Sequence, residues 1–348
     1  MKKKTITTAA ALGVLVSSIP VHAMPAEDVQ RLVNPPSNAN PAVDKMNVYT
    51  SFTGGNHNNS GNGSAKNPYN RFEDAVANVE DGGTIYIDSS TKAFLNDVGE
   101  NMPFLIDKNI TIKPANNEKN ATLSVNSAGI ILGANVRFEN ITLDFCNRYH
   151  DSIFANGYTL DLINVTRNDG MREVDLFAGG LYVSPGNPVH PSGNKGVINV
   201  ETNGDFGGGI LESKFGNIYA GSMNGEFNGT AEINLSQKDK SKKLEIGAIK
   251  ASGALEAYVS DNFFDGVEPL PPKENPELFP MKGNVSINLD NYQVDVDGAT
   301  GSNEKTKVTA SFGYPTELNL KDVNHLEVAS GKVKVMNMNT IPNVTMGD

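Results

Sequence analysis

The stretch GNGSAKNPYNRFEDAVANVEDGGTIYID (residues 61–88) decides the fold, because its hydrophobic period changes in the middle. Between residues 70 and 79 the apolar side chains recur at the helical spacing i, i+3, i+4, i+7: Phe72, Ala75, Val76 and Val79. The segment that follows, residues 84–87, is β-branched and aromatic, which predicts a strand. No comparable helical pattern comes later, so we interpret the helix as a plug over the open end of a stacked sheet.

Both ends of this helix carry sequence signals. Asn70 and Glu73 have the spacing of a capping box, in which the two side chains bond to free amides of the first turn. Gly82 and Gly83 are predicted to end the helix, because glycine adopts the left-handed conformation without a Cβ penalty. The helix is therefore expected to span residues 70–79.

The composition indicates a turn-rich all-β protein. The chain has 348 residues, of which 34 are glycine, 18 are proline and only 38% are hydrophobic. Its net charge of −11 argues against nucleic acid as a partner, because binding to phosphates needs a basic surface. The basic run at residues 238–243 is interpreted as a solvated loop.

The first 23 residues have the organisation of a secretory signal peptide. A positive segment at residues 2–4 precedes an apolar core at residues 9–19 and small residues at the cleavage site. This core is too short to cross a bilayer. We expect export followed by cleavage, a secreted or cell-surface location, and no membrane span. The lone Cys146 is predicted to be a buried apolar side chain, with a reactive thiol as the alternative.

A short motif, asparagine followed by an aliphatic residue, recurs along the rest of the chain, at Asn109, Asn140, Asn164, Asn199, Asn234, Asn288 and Asn319. The best-matched pair is VRFENIT (136–142) and LDLINVT (160–166), in which Asn140 and Asn164 are 24 residues apart. Such a period without intervening helices predicts an all-β, right-handed parallel β-helix with a short N-terminal capping helix. In this arrangement four side chains face inward: Val136, Phe138, Leu160 and Leu162.

The repeated asparagine is predicted to lie at the bend between two strands of a rung and to stack on its neighbour as a hydrogen-bonded ladder.

The division of the chain follows from the repeat and from its interruptions. It comprises a signal peptide (1–23), an extended leader (24–46), the β-helix (47–265), a proline-rich loop (266–280) and further rungs or a β extension (281–348).

The sequence resembles the pectin-lyase-like right-handed β-helix superfamily. The resemblance rests on Asn67-Pro68-Tyr69, the short helix, the strand GGTIYI (82–87) and the Asn-Ile-Thr rungs, and it covers residues 47–229 best. Within the superfamily, the sequence is most similar to the pectate-lyase-like adhesive regions of Gram-positive surface proteins. The resemblance implies the fold more than an activity, since the superfamily includes lyases, hydrolases and non-catalytic adhesins.

One group of charged side chains follows two matched rungs and is the predicted ligand site: Arg148, His150, Asp151, Arg167, Asp169 and Arg172. At rung spacing these residues would share one lateral face, between Asp144 and Asp175. Because arginine guanidinium groups bind carboxylates, the cluster is expected to bind an acidic sugar. The alternative is a set of solvated turn residues with weak ion pairs.

A second candidate lies at residues 293–304. Asp295, Asp297 and Glu304 occupy ligand positions of a calcium loop, but Gln293 stands where the first aspartate is wanted. A β-turn with ordinary surface acids is the favoured interpretation, and a calcium ion is the alternative. No other cofactor is expected.

These features predict a non-catalytic adhesion or glycan-binding protein whose partner is a polysaccharide or a host-surface ligand. The alternative is a polysaccharide lyase or glycoside hydrolase acting on an acidic polysaccharide from the arginine-rich face. No catalytic residues are assigned, because the sequence has neither adjacent aspartates nor a histidine between two glycines.

Overall fold

The computed structural model describes most of the chain after residue 38. The described ranges are 39–52, 61–88, 92–96, 103–116, 121–126, 129–145, 152–167, 174–184, 187–188, 193–202, 214–238, 245–254, 278–281, 283–298, 306–338 and 341–347. Strands, numbered β1 to β30 along the chain, dominate these ranges, and most of them pair in parallel. The all-β parallel β-helix expected from the repeats is therefore confirmed.

An 11-stranded parallel sheet, here called the long sheet, runs the length of the solenoid. Its strands, in spatial order, are β1 (Asn47–Thr50), β2 (Thr84–Ile87), β5 (Ile110–Pro114), β8 (Val136–Glu139), β11 (Thr159–Ile163), β16 (Lys195–Thr202), β19 (Thr230–Gln237), β24 (Val285–Asp290), β26 (Thr306–Ser311), β28 (His325–Ser330) and β30 (Asn343–Met346). The last four lie within residues 281–348, so that region continues the same solenoid.

A 9-stranded sheet, the second sheet, forms another side of the solenoid. It contains β29 (Val333–Met336), β27 (Thr316–Lys321), β25 (Asp295–Asp297), β21 (Ala248–Lys250), β18 (Ile218–Tyr219), β13 (Asp175–Phe177), β10 (Ser152–Phe154), β7 (Ile130–Leu132) and β4 (Phe104–Ile106). A third, short sheet is confined to the first rungs: β12 (Thr166–Arg167), β9 (Ile141–Phe145), β6 (Ala121–Asn126) and β3 (Lys92–Asn96).

Three two-stranded pairs lie beside these sheets. They are β14 (Tyr182–Ser184) with β15 (Asn187–Pro188), β17 (Lys214–Phe215) with β20 (Glu245–Ile246), and β22 (Ser252–Ala254) with β23 (Leu278–Pro280). The last pair is antiparallel and places Pro280 opposite Ser252. The end of the predicted proline-rich loop is thus a strand, because proline is tolerated where a strand lies at an edge.

The core is the continuous column of side chains inside the solenoid. Along the long sheet, Ile85, Ile112, Phe138, Leu162 and Val200 follow one another and are at most 2% exposed. Side chains alternate across a strand, so their neighbours in sequence face outward. The four predicted inward residues are all buried, which confirms that part of the register.

The predicted asparagine ladder exists at one bend. Asn140 and Asn164 lie between the long and short sheets in the left-handed conformation, with φ of 55° and 51°. The Asn164 side-chain nitrogen donates to the Asn140 side-chain oxygen at 2.9 Å. Asparagine tolerates this conformation better than most residues, so the same residue both turns the chain and links the rungs.

The helix, α1 (Phe72–Asn78), covers the N-terminal end of the solenoid as expected, but it starts and stops differently. Its N-cap is Arg71 without a side-chain capping bond, so the predicted capping box is wrong. Because the helix begins at Phe72, Glu73 is one position too early to bond back to the cap. The helix ends four residues before Gly82, whose φ of 83° instead serves the turn into β2.

The outer edge of β1 is closed by backbone hydrogen bonds from residues 61–69. The amide of Tyr49 donates to the Gly63 carbonyl at 2.8 Å, and the amide of Ser51 donates to the Tyr69 carbonyl at 2.8 Å. In return, the Tyr69 amide donates to the Tyr49 carbonyl at 2.9 Å. The stretch that decides the fold therefore covers the first strand's edge and, through α1, the first rung's core.

Lys108 takes over the capping of α1 that the glycines do not perform. Its ammonium donates to the carbonyls of Val76, Ala77 and Val79 at 2.8 to 2.9 Å. Partial burial lowers the pKa of Lys108 below its usual value. A positive charge at a helix C-terminus is stabilising, and all three N–H groups are used.

We predict that Lys108→Met destabilises the folded state by about 1–3 kcal/mol, since three carbonyls lose a charged donor. Urea unfolding followed by circular dichroism measures the loss. Lys45→Met is the matched control, because the Lys45 ammonium also lies near this end of α1 but makes an exposed ion pair, to Glu80 at 3.9 Å. Equal losses in the two variants would contradict the capping role.

Candidate binding surface

The arginine-rich cluster predicted from sequence lies mostly outside the described residues. This holds for Arg148, His150, Asp151, Asp169 and Arg172, and also for Cys146. Of Arg167 the structure describes only the backbone, which lies in β12 with Leu143 of β9 as its Cα partner. The cluster therefore stays a prediction.

The acids of the predicted calcium loop have other partners in the structure. Asp295 and Asp297 lie on β25, and Glu304 lies outside the described residues. The Asp297 carboxylate is 3.6 Å from the Lys250 ammonium and 3.7 Å from the Lys321 ammonium. Among the residues that the structure describes, no group of three or more histidine, cysteine or acidic side chains is arranged to hold a metal. The favoured interpretation of ordinary surface acids agrees with these ion pairs.

The outward face of the long sheet carries a second ladder, which the sequence interpretation placed at bends. Asn199 donates to the Asp161 carboxylate at 2.6 Å, Asn234 donates to Asn199 at 2.7 Å, and Asn288 donates to Asn234 at 2.6 Å. These residues are in the middle of β11, β16, β19 and β24. The expectation that Asn199, Asn234 and Asn288 lie at bends is therefore wrong.

We call the surface around this row the ladder face. The central row is flanked on both sides by outward-facing polar side chains of β16, β19, β24 and the next strand, β26: Glu201, Glu232, Ser236, Ser286, Asp290 and Lys307. The face is polar because β16, β19 and β24 alternate between buried and outward positions, and every outward residue except Val197 is polar. A one-residue slip would bury the amides, so the hydrophobic pattern fixes the row.

Each internal amide of the row keeps part of its hydrogen-bonding capacity. A carboxamide has two N–H donors and an oxygen with two lone pairs. Asn199 donates one N–H to Asp161 and accepts one hydrogen bond from Asn234, which leaves it one donor and one acceptor. Asn234 donates to both Asn199 and Glu232 and keeps only an acceptor lone pair, whereas the exposed Asn288 donates once, to Asn234, and keeps an N–H. The ladder thus repeats amide groups at the strand spacing of about 4.8 Å, with a spare N–H at Asn199 and Asn288 and a spare acceptor at Asn234 between them.

Ion pairs fix the charged side chains at the margins of the ladder face. Lys195 contacts Glu232 at 2.6 Å, Lys238 contacts Glu201 at 2.5 Å, and Lys307 contacts Glu327 at 2.6 Å. The hydrogen bond from Lys195, and then that from Asn234, lowers the pKa of Glu232 below its ordinary value. Lys307 lowers the pKa of Glu327 in the same way. These carboxylates are held ionised, as hydrogen-bond acceptors.

The lowered pKa of Glu232 gives a pH-dependent prediction. A carboxylate whose pKa is depressed on folding stabilises the native state above its unfolded pKa, and the stabilisation is lost as the pH falls through the folded value. We expect Glu232→Gln to cost about 0.5–1 kcal/mol at pH 7 and nothing below the lowered pKa. Urea unfolding at neutral and acidic pH measures this, and a pH-independent cost would contradict it.

Two tyrosines mark the N-terminal end of the same sheet face. Tyr49 of β1 and Tyr86 of β2 are stacked with ring centroids 4.8 Å apart, and the Lys113 ammonium lies 5.4 Å from the Tyr86 ring centre. The sequence analysis did not single out this pair. The signal that would have found this pair is its position, since both tyrosines are the third residue of four-residue strands that stack.

No protein family, no curated protein and no solved structure matches this chain. The sequence resemblance therefore has no independent support from a relative, and the fold rests on the strand pairing itself. In the described part of the chain, no helix combines the length and apolar character needed to cross a membrane.

Proposed function

We propose that this chain is a secreted or cell-surface β-helix protein that binds a glycan or host-surface ligand without catalysing a reaction, as adhesive members of the pectin-lyase-like superfamily do. We assign the binding to the ladder face. The observation that carries the proposal is the hydrogen-bonded row of Asp161 and three asparagine amides, up to Asn288, on four strands that pair without a break in register.

Glycans suit this row because their hydroxyl groups both donate and accept hydrogen bonds. An amide with one spare N–H and one spare lone pair complements two neighbouring hydroxyls of a sugar ring. The amides bond to one another, so their side chains lose little conformational freedom when a ligand arrives. A polymer lying along the solenoid would meet a spare N–H at Asn199 and at Asn288, and a spare acceptor at Asn234 between them.

The charge state of the flanking acids supports binding over hydrolysis at this face. A glycosidase needs a carboxylic acid with a raised pKa to protonate the leaving group. Glu232 and Glu327 instead have lowered pKa values because lysines donate to them. They accept hydrogen bonds and stay charged, which suits orientation of a ligand.

The test is a binding panel of glycans and host-matrix proteins, repeated with two variants. The first changes Asn199, Asn234 and Asn288 to threonine, which occupies the same outward column at Thr111 and Thr309 and keeps the strand propensity. The second is Arg148→Ala/Arg167→Ala, which removes the arginine-rich cluster. We expect the threonine variant to lose at least tenfold in affinity and the arginine variant to bind normally.

The reverse outcome assigns binding to the arginine-rich face, and the absence of any ligand for the folded protein contradicts the proposal. Ultraviolet absorbance during incubation with polygalacturonate, with and without calcium, addresses catalysis separately. New unsaturated chain ends would show that the protein is a lyase.

A further inference from the structure

The outward face of the second sheet carries another row of hydrogen-bonded amides. The Asn319 side-chain nitrogen donates to the Asp295 carboxylate at 3.3 Å, and the Asn337 side-chain nitrogen donates to the Asn319 side-chain oxygen at 2.9 Å. Asp295 belongs to β25 and Asn319 to β27, whereas Asn337 directly follows β29. All three residues are exposed. We call the surface around this row the β27 face.

The β27 face repeats the chemistry of the ladder face. Each row begins with an aspartate, and each asparagine donates to a residue of the preceding rung. Asn319 donates one N–H to Asp295 and accepts one hydrogen bond from Asn337, which leaves it one donor and one acceptor. Asn199 keeps the same two groups on the ladder face. The two surfaces therefore offer a sugar ring the same hydrogen-bonding partners.

Lysine–carboxylate pairs flank the β27 face on both sides. On one side the Asp297 carboxylate lies 3.6 Å from the Lys250 ammonium and 3.7 Å from the Lys321 ammonium. On the other side the Lys334 ammonium lies 2.7 Å from the Glu317 carboxylate. The lysines at the margins of the ladder face are engaged by carboxylates in the same way. Both faces are thus built from a central amide row between margins of paired charges.

The charges beside both rows favour a ligand without charge. An acidic polymer on the ladder face would meet Glu201 and Asp290, and an acidic polymer on the β27 face would meet Asp295. The net charge of −11 on the whole chain adds to this repulsion. A neutral polysaccharide supplies hydroxyl groups to the spare amide groups and is not repelled. Both rows therefore suit a neutral, hydroxyl-rich polysaccharide.

The two rows lie on different sides of the solenoid but meet at one rung. The row of the ladder face ends at Asn288 on β24, and the other row begins at Asp295 on β25, the next strand along the chain. The buried side chains of Tyr292 and Val294 hold the bend between them. Because β24 and β25 belong to different sheets, a glycan chain that lies along one row leaves the other row accessible.

We propose that the β27 face is a second binding surface for the same neutral polysaccharide, so that one molecule of this protein joins two glycan chains. The inference rests on the proposed function, because it takes the ladder face as the first binding surface. A protein with two such sites cross-links a polysaccharide layer, and the linkage raises the overall avidity without any new contact.

A sandwich assay tests this inference. Surfaces coated with mannan, dextran or xylan capture the protein, with polygalacturonate as the acidic comparison, and the captured protein is then offered the same polysaccharide in a fluorescently labelled form. We expect the unmodified protein to be captured by a neutral polysaccharide and to bind the labelled form. Asp295→Thr/Asn319→Thr should still be captured, through the ladder face, but should bind about tenfold less of the labelled form.

Two further variants serve as comparison and control. The variant with threonine in place of Asn199, Asn234 and Asn288 should also lose the labelled form, and its combination with Asp295→Thr/Asn319→Thr should not be captured. Lys332→Thr changes an exposed residue immediately before β29, outside the row, and should leave both steps unchanged. Thermal melts of all variants verify folding.

A chemical block covers the case in which the threonine variant of the β27 face does not fold. In a Cys146→Ser background, Asn319→Cys is coupled to a bulky maleimide after folding, and the coupled protein should be captured without binding the labelled form. Undiminished binding of the labelled form by the folded threonine variant or by the coupled protein would overturn the inference and leave the proposed function intact. A preference for polygalacturonate over every neutral polysaccharide would also overturn it. Failure of every surface to capture the unmodified protein would contradict the proposed function and the inference together.

Discussion

Ile85→Asp is expected to unfold the protein at room temperature. Ile85 is fully buried between Val48 and Ile112 of the neighbouring strands. Removing its side chain from the core costs about 2–3 kcal/mol. Placing a carboxylate there without a partner costs several kcal/mol more. The sum is comparable with the whole stability of a typical domain, about 5–15 kcal/mol.

The matched control is Thr84→Asp, one residue earlier on the same strand. Thr84 faces outward and is partly exposed, so its replacement should change the free energy of unfolding by less than about 1 kcal/mol. Circular dichroism and urea unfolding separate the two variants. The assignment of inner and outer faces would be falsified if both variants unfolded at the same urea concentration.

Gly221→Val is expected to disrupt the corner where three rungs stack closely. A Cβ on Gly221 would lie 2.3 Å from the Gly253 amide nitrogen and 2.6 Å from its Cα. The backbone cannot withdraw, because the Gly221 carbonyl accepts from Gly179 and its amide donates to Ser252, both at 3.0 Å. Overpacking and the loss of these bonds should cost about 3 kcal/mol or more.

Gly82→Ala provides the comparison for this glycine. Its Cβ would meet nothing within 4 Å, and only its φ of 83° disfavours a side chain. The expected cost is therefore about 1 kcal/mol. In thermal unfolding, Gly221→Val should have a far lower melting temperature than Gly82→Ala. The reverse order would show that conformational strain, and not close packing of rungs, determines where glycine is needed.

The solenoid was predictable from sequence because its evidence is periodic. The alternation of Val136 and Phe138, repeated at Leu160 and Leu162, identifies the inward face from two rungs alone. The ladder between Asn140 and Asn164 follows from the same repeat. Where successive rungs have nearly the same length, residues that are one period apart in the sequence stack on each other in space.

The ladder face was not predicted because the same motif has two positions in a rung. Asn199, Asn234 and Asn288 are followed by aliphatic residues, as Asn140 and Asn164 are, yet they lie within strands. The difference is visible only when the register of the long sheet is known. The predicted ends of the helix were wrong for a similar reason. The Lys108 ammonium that caps α1 comes from about 30 residues away in the sequence.

The central claim is that distant segments stack in parallel and in register to build the ladder face, and a disulfide measures this directly. Ser236 and Asp290 are Cα partners on β19 and β24, 54 residues apart in sequence. In a Cys146→Ser background, Ser236→Cys/Asp290→Cys should oxidise readily, because strand neighbours lie within the Cα separation that a disulfide spans. Ser236→Cys/Ser286→Cys, displaced along the strand by four residues, should not. Oxidation of the displaced pair in preference to the aligned one would contradict the register on which the ladder face depends.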